Sequence, residues 1–263
     1  MLVAAGDIAT CDGQADEATA NLLANVNGTV VTLGDNAYPN GSENDFAECY
    51  DPTWGRQKLR TEPTPGNHEY YTRQAEGYFS YFGEAAHEPN EGYYSYDVGR
   101  WHVVALNSNC KEIGGCEPSS PQIQWLESDL EKNQELCTLA YFHHPLFSSG
   151  KYRPGVPEMK PLWEALYAAG ADVVLNGHDH NYQRFTPQDP EGKADPERGI
   201  RQFVVGTGGA GLYSIQNPLE SIETYNDSAH GVLKLALHTD KYDWEFIPVK
   251  GKSFTDTGSA RCH

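Results

Sequence analysis

The sequence has little positive charge and no long apolar run. It contains 19 Lys and Arg against 37 Asp and Glu, a formal net charge of −18 over 263 residues. Because the basic residues are scattered, nucleic-acid backbones and anionic membranes are poor partners for most of this surface. No apolar run reaches the ~20 residues of a membrane-spanning helix. We therefore expect neither a nucleic-acid-binding surface nor a membrane span.

The six cysteines include no Cys-x-x-Cys pair, which argues against a structural zinc knuckle. Their even number is typical of an exported protein with disulfides, and six reduced, partly buried thiols are the alternative. The Gly-rich loop between Cys110 and Cys116 favours a bond between those two. Residues 1–5 are too few for the apolar core of a signal peptide. We therefore expect a mature or trimmed form of a secreted or otherwise extracytoplasmic protein.

The sequence patterns of two other enzyme classes are missing or incomplete. No Gly-x-Ser-x-Gly nucleophile elbow is present. Residues 206–211 fit Gly-x-Gly-x-x-Gly, but the segment after them has no helical pattern. Since a dinucleotide site needs a helix N-terminus at that point, we predict a turn instead.

The length is near the upper limit for one hydrophobic core, so we predict a single domain spanning residues 1–263. Short apolar runs alternate with helical segments, which predicts an α/β fold. The predicted strands are residues 2–5, 29–33, 93–97, 101–106, 137–142, 172–175, 201–205, 232–237 and 243–247. The predicted helices are residues 15–24, 119–133 and 158–169. We expect the last three strands to be antiparallel and residues 36–66 to be irregular.

Side chains that bind metals recur along the chain in five clusters, four of which directly follow a predicted strand. The clusters are Asp7, residues 35–38, Asn67-His68, His143-His144 and residues 178–180. The carboxyl ends of strands are where open α/β sheets bind their ligands. Two solvated loop histidines would explain residues 178–180 alone, but the recurrence predicts a metal site.

The donor types indicate which metals fit. Oxygen and imidazole donors without thiolate favour iron, manganese or zinc over copper(I) or an iron–sulfur cluster. There are enough donors for two ions, and Asp35, in the middle of the series, is the candidate bridging ligand. Tyr38 lies three positions after Asp35 and can reach the same ion. A trivalent ion would favour its ionised phenol, although ordinary packing before Pro39 is the alternative.

At five ordered blocks the sequence resembles the purple acid phosphatase branch of the calcineurin-like metallophosphoesterases. The blocks are Gly6-Asp7, Gly34-Asp35-Asn36-Ala37-Tyr38, Gly66-Asn67-His68-Glu69, His143-His144-Pro145 and Gly177-His178-Asp179-His180-Asn181-Tyr182-Gln183-Arg184. Two positions indicate the branch. Ala9 stands where many relatives carry a ligand His, and the second block carries Tyr38, as in the purple acid phosphatases.

The resemblance implies a four-layer α/β/β/α sandwich of two mixed sheets with a binuclear metal centre. It implies that Fe(III) is held by Asp7, Asp35, Tyr38 and His180. A second ion, Fe(II), Zn(II) or Mn(II), would be held by Asp35, Asn67, His143 and His178. The choice of His143 over His144 follows only from alignment to the family's His-x-Pro pattern.

The sequence also departs from the family pattern. Ala9 replaces a Gly that is frequent in the branch, and no separate amino-terminal β-domain of the kind that plant members carry is recognisable. Residues 147–157 lack the His-His pair that some members place after the fourth block. His144 is the candidate to do part of that work.

The implied reaction is hydrolysis of a small phosphate monoester. The ester would bridge the two ions, metal-bound hydroxide would attack phosphorus in line, and His68 would assist the leaving oxygen as general acid or charge stabiliser. His144 is the alternative acid. The candidate substrate contacts are Asn67, His68, His144 and Arg184, with surface packing as the alternative for Arg184.

Two other functions fit the same residues. The centre would also support a phosphodiesterase acting on cyclic nucleotides or other diesters. A protein that keeps the fold without catalysis would bind phosphate or a partner. The physiological ester, the second metal and the oligomeric state stay open at this stage.

Overall fold

The structure, a computed structural model, describes residues 1–89, 91–150 and 155–263 and contains two mixed β-sheets. The first has six strands in the order β13-β12-β11-β1-β2-β3, and the second has seven in the order β10-β8-β9-β7-β6-β5-β4. The strands are β1 Leu2–Ala5, β2 Thr29–Leu33, β3 Thr61–Thr64, β4 Tyr94–Val98, β5 Trp101–Ala105, β6 Cys137–Tyr141, β7 Val173–Asn176, β8 Tyr182–Phe185, β9 Arg201–Val205, β10 Ile222–Asn226, β11 Gly231–Leu237, β12 Lys241–Pro248 and β13 Thr257–Arg261.

Helices lie between the strands. The α-helices are α1 Ala15–Leu23, α2 Glu43–Asp45, α3 Glu76–Phe82, α4 Pro121–Lys132 and α5 Lys160–Ala168. Shorter helical turns of other types occupy Phe46–Tyr50, Trp54–Arg60, Glu69–Tyr71, Arg73–Ala75, Gly83–Ala86 and Pro157–Met159. Helix α4 begins as the sequence predicts, because the Ser120 side chain accepts a hydrogen bond from the Ile123 N–H and Pro121 occupies the first turn. Across the described residues, no helix has the length and apolar character needed to cross a bilayer.

Alternation along the central strands divides the apolar side chains between two clusters. In β5, Val103 belongs to the cluster between the two sheets, while Val104 belongs to the cluster under α4 and α5. In β7, Val173 and Val174 divide in the same way. Successive side chains of a strand point to opposite faces, so a strand that is buried on both sides needs a continuous apolar run. With α1 packed against β11 of the other sheet, this arrangement confirms the α/β/β/α sandwich.

Several strands differ from the prediction. The antiparallel prediction for residues 201–205 is confirmed on one side of the strand only, because β9 pairs antiparallel with β8 but parallel with β7. Residues 36–66 are not wholly irregular, since they contain β3 and helical turns. β3 was not predicted, because it contains Pro63. This proline has no N–H to donate, but it is tolerated because β3 is an edge strand. Residues 206–211 form bends and open no helix, as predicted.

The parallel strands bring the polar clusters to one edge of the sandwich. β1, β2 and β3 run parallel in the first sheet, and β5, β6, β7 and β9 run parallel in the second. Backbone hydrogen bonds join the two sheets at their carboxyl ends, from Gly6 N–H to Val205 O and from Gly208 N–H to Gly6 O, both 2.9 Å. The Gly-rich segment 206–211 therefore clamps the loop after β1, a role that the sequence did not reveal.

All six cysteines are paired. The bonds are Cys11–Cys49, Cys110–Cys116 and Cys137–Cys262, the second of which confirms the predicted pair. Cys137 begins β6 in the second sheet, and Cys262 follows β13 in the first, so the third bond joins the two sheets.

We expect removal of the Cys137–Cys262 bond to cost more stability than removal of Cys110–Cys116. The first closes a loop of 125 residues and the second a loop of 6, which corresponds to about 5 and about 2 kcal/mol of lost chain-entropy stabilisation. Urea unfolding of the two double Cys→Ser variants under oxidising conditions measures both. Equal losses would show that loop length does not govern stability in this protein.

Candidate metal centre

The backbone at three of the predicted ligands adopts the left-handed conformation. Asp7, Asp35 and His178 have φ angles of 59°, 50° and 70°. Such conformations cost about 1–3 kcal/mol for a non-Gly residue and persist only where the surroundings impose them. Each of these residues follows a strand and a glycine, and the sharp turn directs its side chain over the edge of the sheets.

The first group of donors surrounds the phenol of Tyr38. Its Oη lies 3.1 Å from Asp7 Oδ1, 3.2 Å from Asp35 Oδ2 and 3.1 Å from His180 Nε2. Asp7 Oδ1 also lies 3.1 Å from His180 Nε2. Asp7 is fully buried, and Asp35 and His180 are nearly so. The four side chains of this group converge on one small volume.

The second group surrounds the imidazole of His143. Its Nε2 lies 3.2 Å from Asp35 Oδ2, 3.2 Å from Asn67 Oδ1 and 3.1 Å from His178 Nδ1. Asp35 Oδ2 therefore contacts both groups, since it is also the atom nearest to Tyr38. The structure brings all seven predicted metal ligands together, with Asp35 between the two groups.

Hydrogen bonds outside the centre orient two of the imidazoles. His143 Nδ1 lies 2.8 Å from the Leu33 carbonyl oxygen, and His180 Nδ1 lies 2.8 Å from that of Gly211. A carbonyl oxygen only accepts, so each Nδ1 carries a proton, and Nε2 of each ring faces the centre. This arrangement is typical of metal-bound histidines.

The charges of the centre perturb one another strongly. Burial opposes ionisation of Asp35, but His143 outweighs it and holds the pKa of this carboxyl far below its usual range. Burial alone would lower the pKa of His143, but the Asp35 carboxylate raises it to about 9. Burial and the Asp35 and Asp7 carboxylates raise the pKa of Tyr38 well above its usual value. Two carboxylates thus give the centre a negative potential that favours a cation.

The donor set fits bound metal ions. Asp7 Oδ1, Asp35 Oδ2 and Asn67 Oδ1 are acceptors, as Nε2 of an imidazole is once it is deprotonated, and each oxygen lies 3.1–3.2 Å from such an Nε2. One donor atom from each of Asp7, Asp35 and His143 lies within 4.8 Å of the others. Acceptors at such distances repel each other unless protons or cations lie between them. Oxygen and imidazole ligands match iron, zinc and manganese.

The two candidate catalytic histidines lie beside the second group. The His68 N–H donates to Asp35 Oδ1 at 2.8 Å, and its Nε2 lies 3.8 Å from Asp35 Oδ2. The His144 ring packs on those of His143 and His178, with centroids 4.9 Å and 4.4 Å apart, and its Nδ1 lies 2.8 Å from Ser108 Oγ. Both imidazoles are therefore next to the predicted ligands.

Arg184 lies in a different set of contacts. Its guanidinium donates to Asp256 at 2.7 Å and 3.0 Å and also to Glu223, and it stacks on Trp244 at 5.0 Å. None of these three partners belongs to the metal-ligand clusters. The packing alternative therefore accounts for these contacts of Arg184, and its role as a substrate contact stays a prediction.

Glu69, for which no role was predicted, holds two ligand loops together. Its fully buried carboxylate accepts hydrogen bonds from the N–H groups of Asp35, Asn36, Ala37 and Gly66, at 3.0, 2.8, 3.3 and 2.6 Å. Burial, reinforced by the nearby Asp35, raises its pKa to about 7, although the N–H groups oppose that rise. Its position in the same sequence block as Asn67 and His68 was the feature that could have indicated this role.

Close backbone approach explains two glycines of the blocks. A Cβ at Gly66 would lie 2.1 Å from Asp35 Oδ1, and a Cβ at Gly34 would lie 2.6 Å from His143 Nδ1. Gly34 also has a φ of 81°. Any side chain at either position would displace a predicted ligand.

Comparisons with known proteins agree with this geometry. The sequence model of the calcineurin-like phosphoesterase family matches residues 2–182. Purple acid phosphatase 21 of Arabidopsis thaliana is 31% identical over 222 residues, which cover 73% of this chain and 49% of that protein. Probable purple acid phosphatase 20 of the same plant is 29% identical over 234 residues, 76% of this chain and 52% of that protein. The chain thus spans about half the length of these curated relatives.

Solved structures share the fold over almost the whole chain. The purple acid phosphatase PPD1 of yellow lupin, Lupinus luteus, superimposes with a TM-score of 0.75 at 18% identity, over 99% of this chain and 53% of that one. GAP50, described as the anchor in the inner membrane complex of Plasmodium, superimposes with a TM-score of 0.74 at 14% identity, over 100% of this chain and 88% of that one. At these identities the likeness shows the fold alone.

We expect Glu69→Gln to loosen the centre without touching a ligand. The amide keeps one acceptor but turns an NH₂ group toward N–H donors, which costs about 1–3 kcal/mol for each unsatisfied buried group. Urea unfolding of the metal-free protein measures the loss, and the metal content after dialysis against a weak chelator measures retention. Glu84→Gln, at an exposed position, is the matched control. Unchanged stability and metal retention in Glu69→Gln would show that Glu69 does not position the loops.

Proposed function

The chain belongs to the calcineurin-like phosphoesterase family, and we propose that it hydrolyses small phosphate monoesters at a binuclear metal centre, as a purple acid phosphatase-like enzyme. One observation carries the proposal: seven donor side chains form two groups that share Asp35 Oδ2. A protein that only binds phosphate does not require two such groups with a common carboxylate. The two histidines beside the second group add the proton donors that hydrolysis needs.

The two groups define two ion positions. Asp7, Asp35, Tyr38 and His180 would hold one ion, and Asp35, Asn67, His143 and His178 would hold the other. Such a pair supplies Lewis-acid polarisation of the phosphoryl group and acidifies water. Tyr38 favours Fe(III) at the first position, because only a strong positive charge offsets the burial and the two carboxylates that keep its phenol protonated. The second ion is Fe(II), Zn(II) or Mn(II).

The chain's own residues place and protonate the substrate. Hydrolysis forms a new bond from a water oxygen to phosphorus and breaks the bond to the leaving oxygen, which must receive a proton. His68 and His144 are the two imidazoles close enough to the second group to donate it. The 2.8 Å contact between His144 Nδ1 and Ser108 Oγ holds that ring beside the second group. Asn67, on the same side, contacts the ester.

We further propose that residues 1–263 form one catalytic domain and that the protein is extracytoplasmic. The apolar cluster between the sheets draws on both of them and on the loops between β2 and β4. Three disulfides form and persist in oxidising compartments.

We expect the protein to hydrolyse an aryl phosphate faster than the corresponding bis-aryl phosphate. Asn67→Ala should lower the turnover of both by at least about 10- to 100-fold, because residues that merely orient a metal ligand contribute that much and Asn67 is itself a predicted ligand. Steady-state kinetics on the metal-loaded protein measures both effects, with Asn226→Ala, on an outer strand, as the control. Faster diester cleavage would make the protein a phosphodiesterase. Phosphate binding without turnover of either ester would make it a non-catalytic binding protein.

We expect the purified protein to show a visible charge-transfer band from tyrosinate to Fe(III), and Tyr38→Phe to abolish it. Tyr71→Phe removes a different phenol, whose oxygen lies 3.4 Å from Nδ2 of Asn67 in the second group, and this variant should retain the band. Absorption spectra with elemental analysis of both variants test the assignment. A colourless protein that contains zinc or manganese but no iron would contradict it while leaving the hydrolase proposal intact.

A further inference from the structure

A cavity of about 510 Å³ opens directly beside the second group of ligands. Asn67 and His144 line it, and the loop at the Cys110–Cys116 disulfide forms part of its wall. Cavities of this size hold small organic ligands. An ester bound at Asn67 would therefore extend its leaving group into this cavity.

Two tyrosines give the cavity an aromatic wall. The phenol of Tyr70 is fixed by the Asn107 side-chain amide, which donates to it at 2.7 Å. The Tyr71 ring packs against His68 with centroids 4.8 Å apart, while 60% of the residue remains exposed. A large aromatic ring that is held beside a catalytic histidine and still open to a cavity is a stacking surface.

The remaining lining separates into an apolar part and a charged rim. Val156 and the buried Met159 supply apolar surface. The charged residues Lys111, Glu112 and Glu158 also line the cavity and are all exposed, so they form its rim. The interior therefore suits a flat apolar group, and the rim leaves polar substituents in contact with water.

We infer that this cavity binds an aromatic leaving group, with Tyr71 as its stacking partner, so that nucleoside monophosphates are preferred over sugar phosphates. The inference rests on the proposed function, because it names the class of ester that the same centre cleaves. Tyr71 acts here as a specificity-determining residue. Tyr71 does not change which bond is cleaved. It favours the substrates whose leaving group carries an aromatic ring.

A pair of substrates with the same reacting bond tests the inference. Adenosine 5′-monophosphate and methyl riboside 5-phosphate both release a primary alcohol and differ only in the base. We expect kcat/KM to be about tenfold higher for the nucleotide, the factor that one base stacked on an aromatic ring contributes. Tyr71→Ala should bring the ratio of the two kcat/KM values close to one, while Tyr71→Phe should preserve it.

Controls separate this inference from the proposed function. Tyr225→Ala, which removes an exposed tyrosine of β10, should leave the ratio unchanged. Equal kcat/KM values in the unaltered protein, or a preference that survives in Tyr71→Ala, would overturn the inference. If neither ester is hydrolysed, the proposed function fails, and calorimetric titration with adenosine then tests the aromatic site alone. Binding that Tyr71→Ala weakens would support the aromatic site, and no binding to the unaltered protein would overturn it.

Discussion

Repulsion among crowded acceptor atoms governs the metal centre, because the fold holds oxygens of Asp7, Asp35 and Asn67 3.1–3.2 Å from the Nε2 atoms of two imidazoles. Such crowding is unfavourable in itself and requires positive charge between the atoms. Protons on the histidines supply it in the metal-free protein, and metal ions displace those protons when they bind. The two sheets provide the rigid edge on which the unfavourable arrangement is imposed. The dependence of the centre on cations is therefore a property of the fold.

The strained backbone and the glycines of the blocks serve this same arrangement. Left-handed φ angles at Asp7, Asp35 and His178 aim three ligands from three different strands at one volume. Gly34 and Gly66 let the loops approach closely enough for those ligands to meet. Glu69 then accepts hydrogen bonds from the backbone N–H groups that this close approach brings together. The strained backbone and the close loop contacts at the centre therefore lower stability, and burial of the large apolar core offsets that loss.

The sequence predicted the centre better than the edges of the sheets. β1, β2 and β9 have the predicted bounds, because each contains adjacent buried apolar residues and is followed directly by a glycine. β10 and β13 were missed, because they lie at sheet edges and alternate between partly buried and exposed residues without an apolar run. The clusters after the strands predicted that ligands converge, but their division into two groups came from family resemblance. Tyr71 and Ser108 could not be assigned, since contacts between distant loops leave no local pattern in the sequence.

The Cys137–Cys262 bond lies at the opposite end of the sandwich from the centre. It ties the start of β6, whose far end leads to His143, to the residue after β13. The two sheets are thus joined covalently at their base and only by hydrogen bonds and packing at the edge where the ligands meet. Reduction of this bond would therefore release the base of the sandwich, while the hydrogen bonds from Gly6 N–H to Val205 O and from Gly208 N–H to Gly6 O would still join the sheets at the ligand edge.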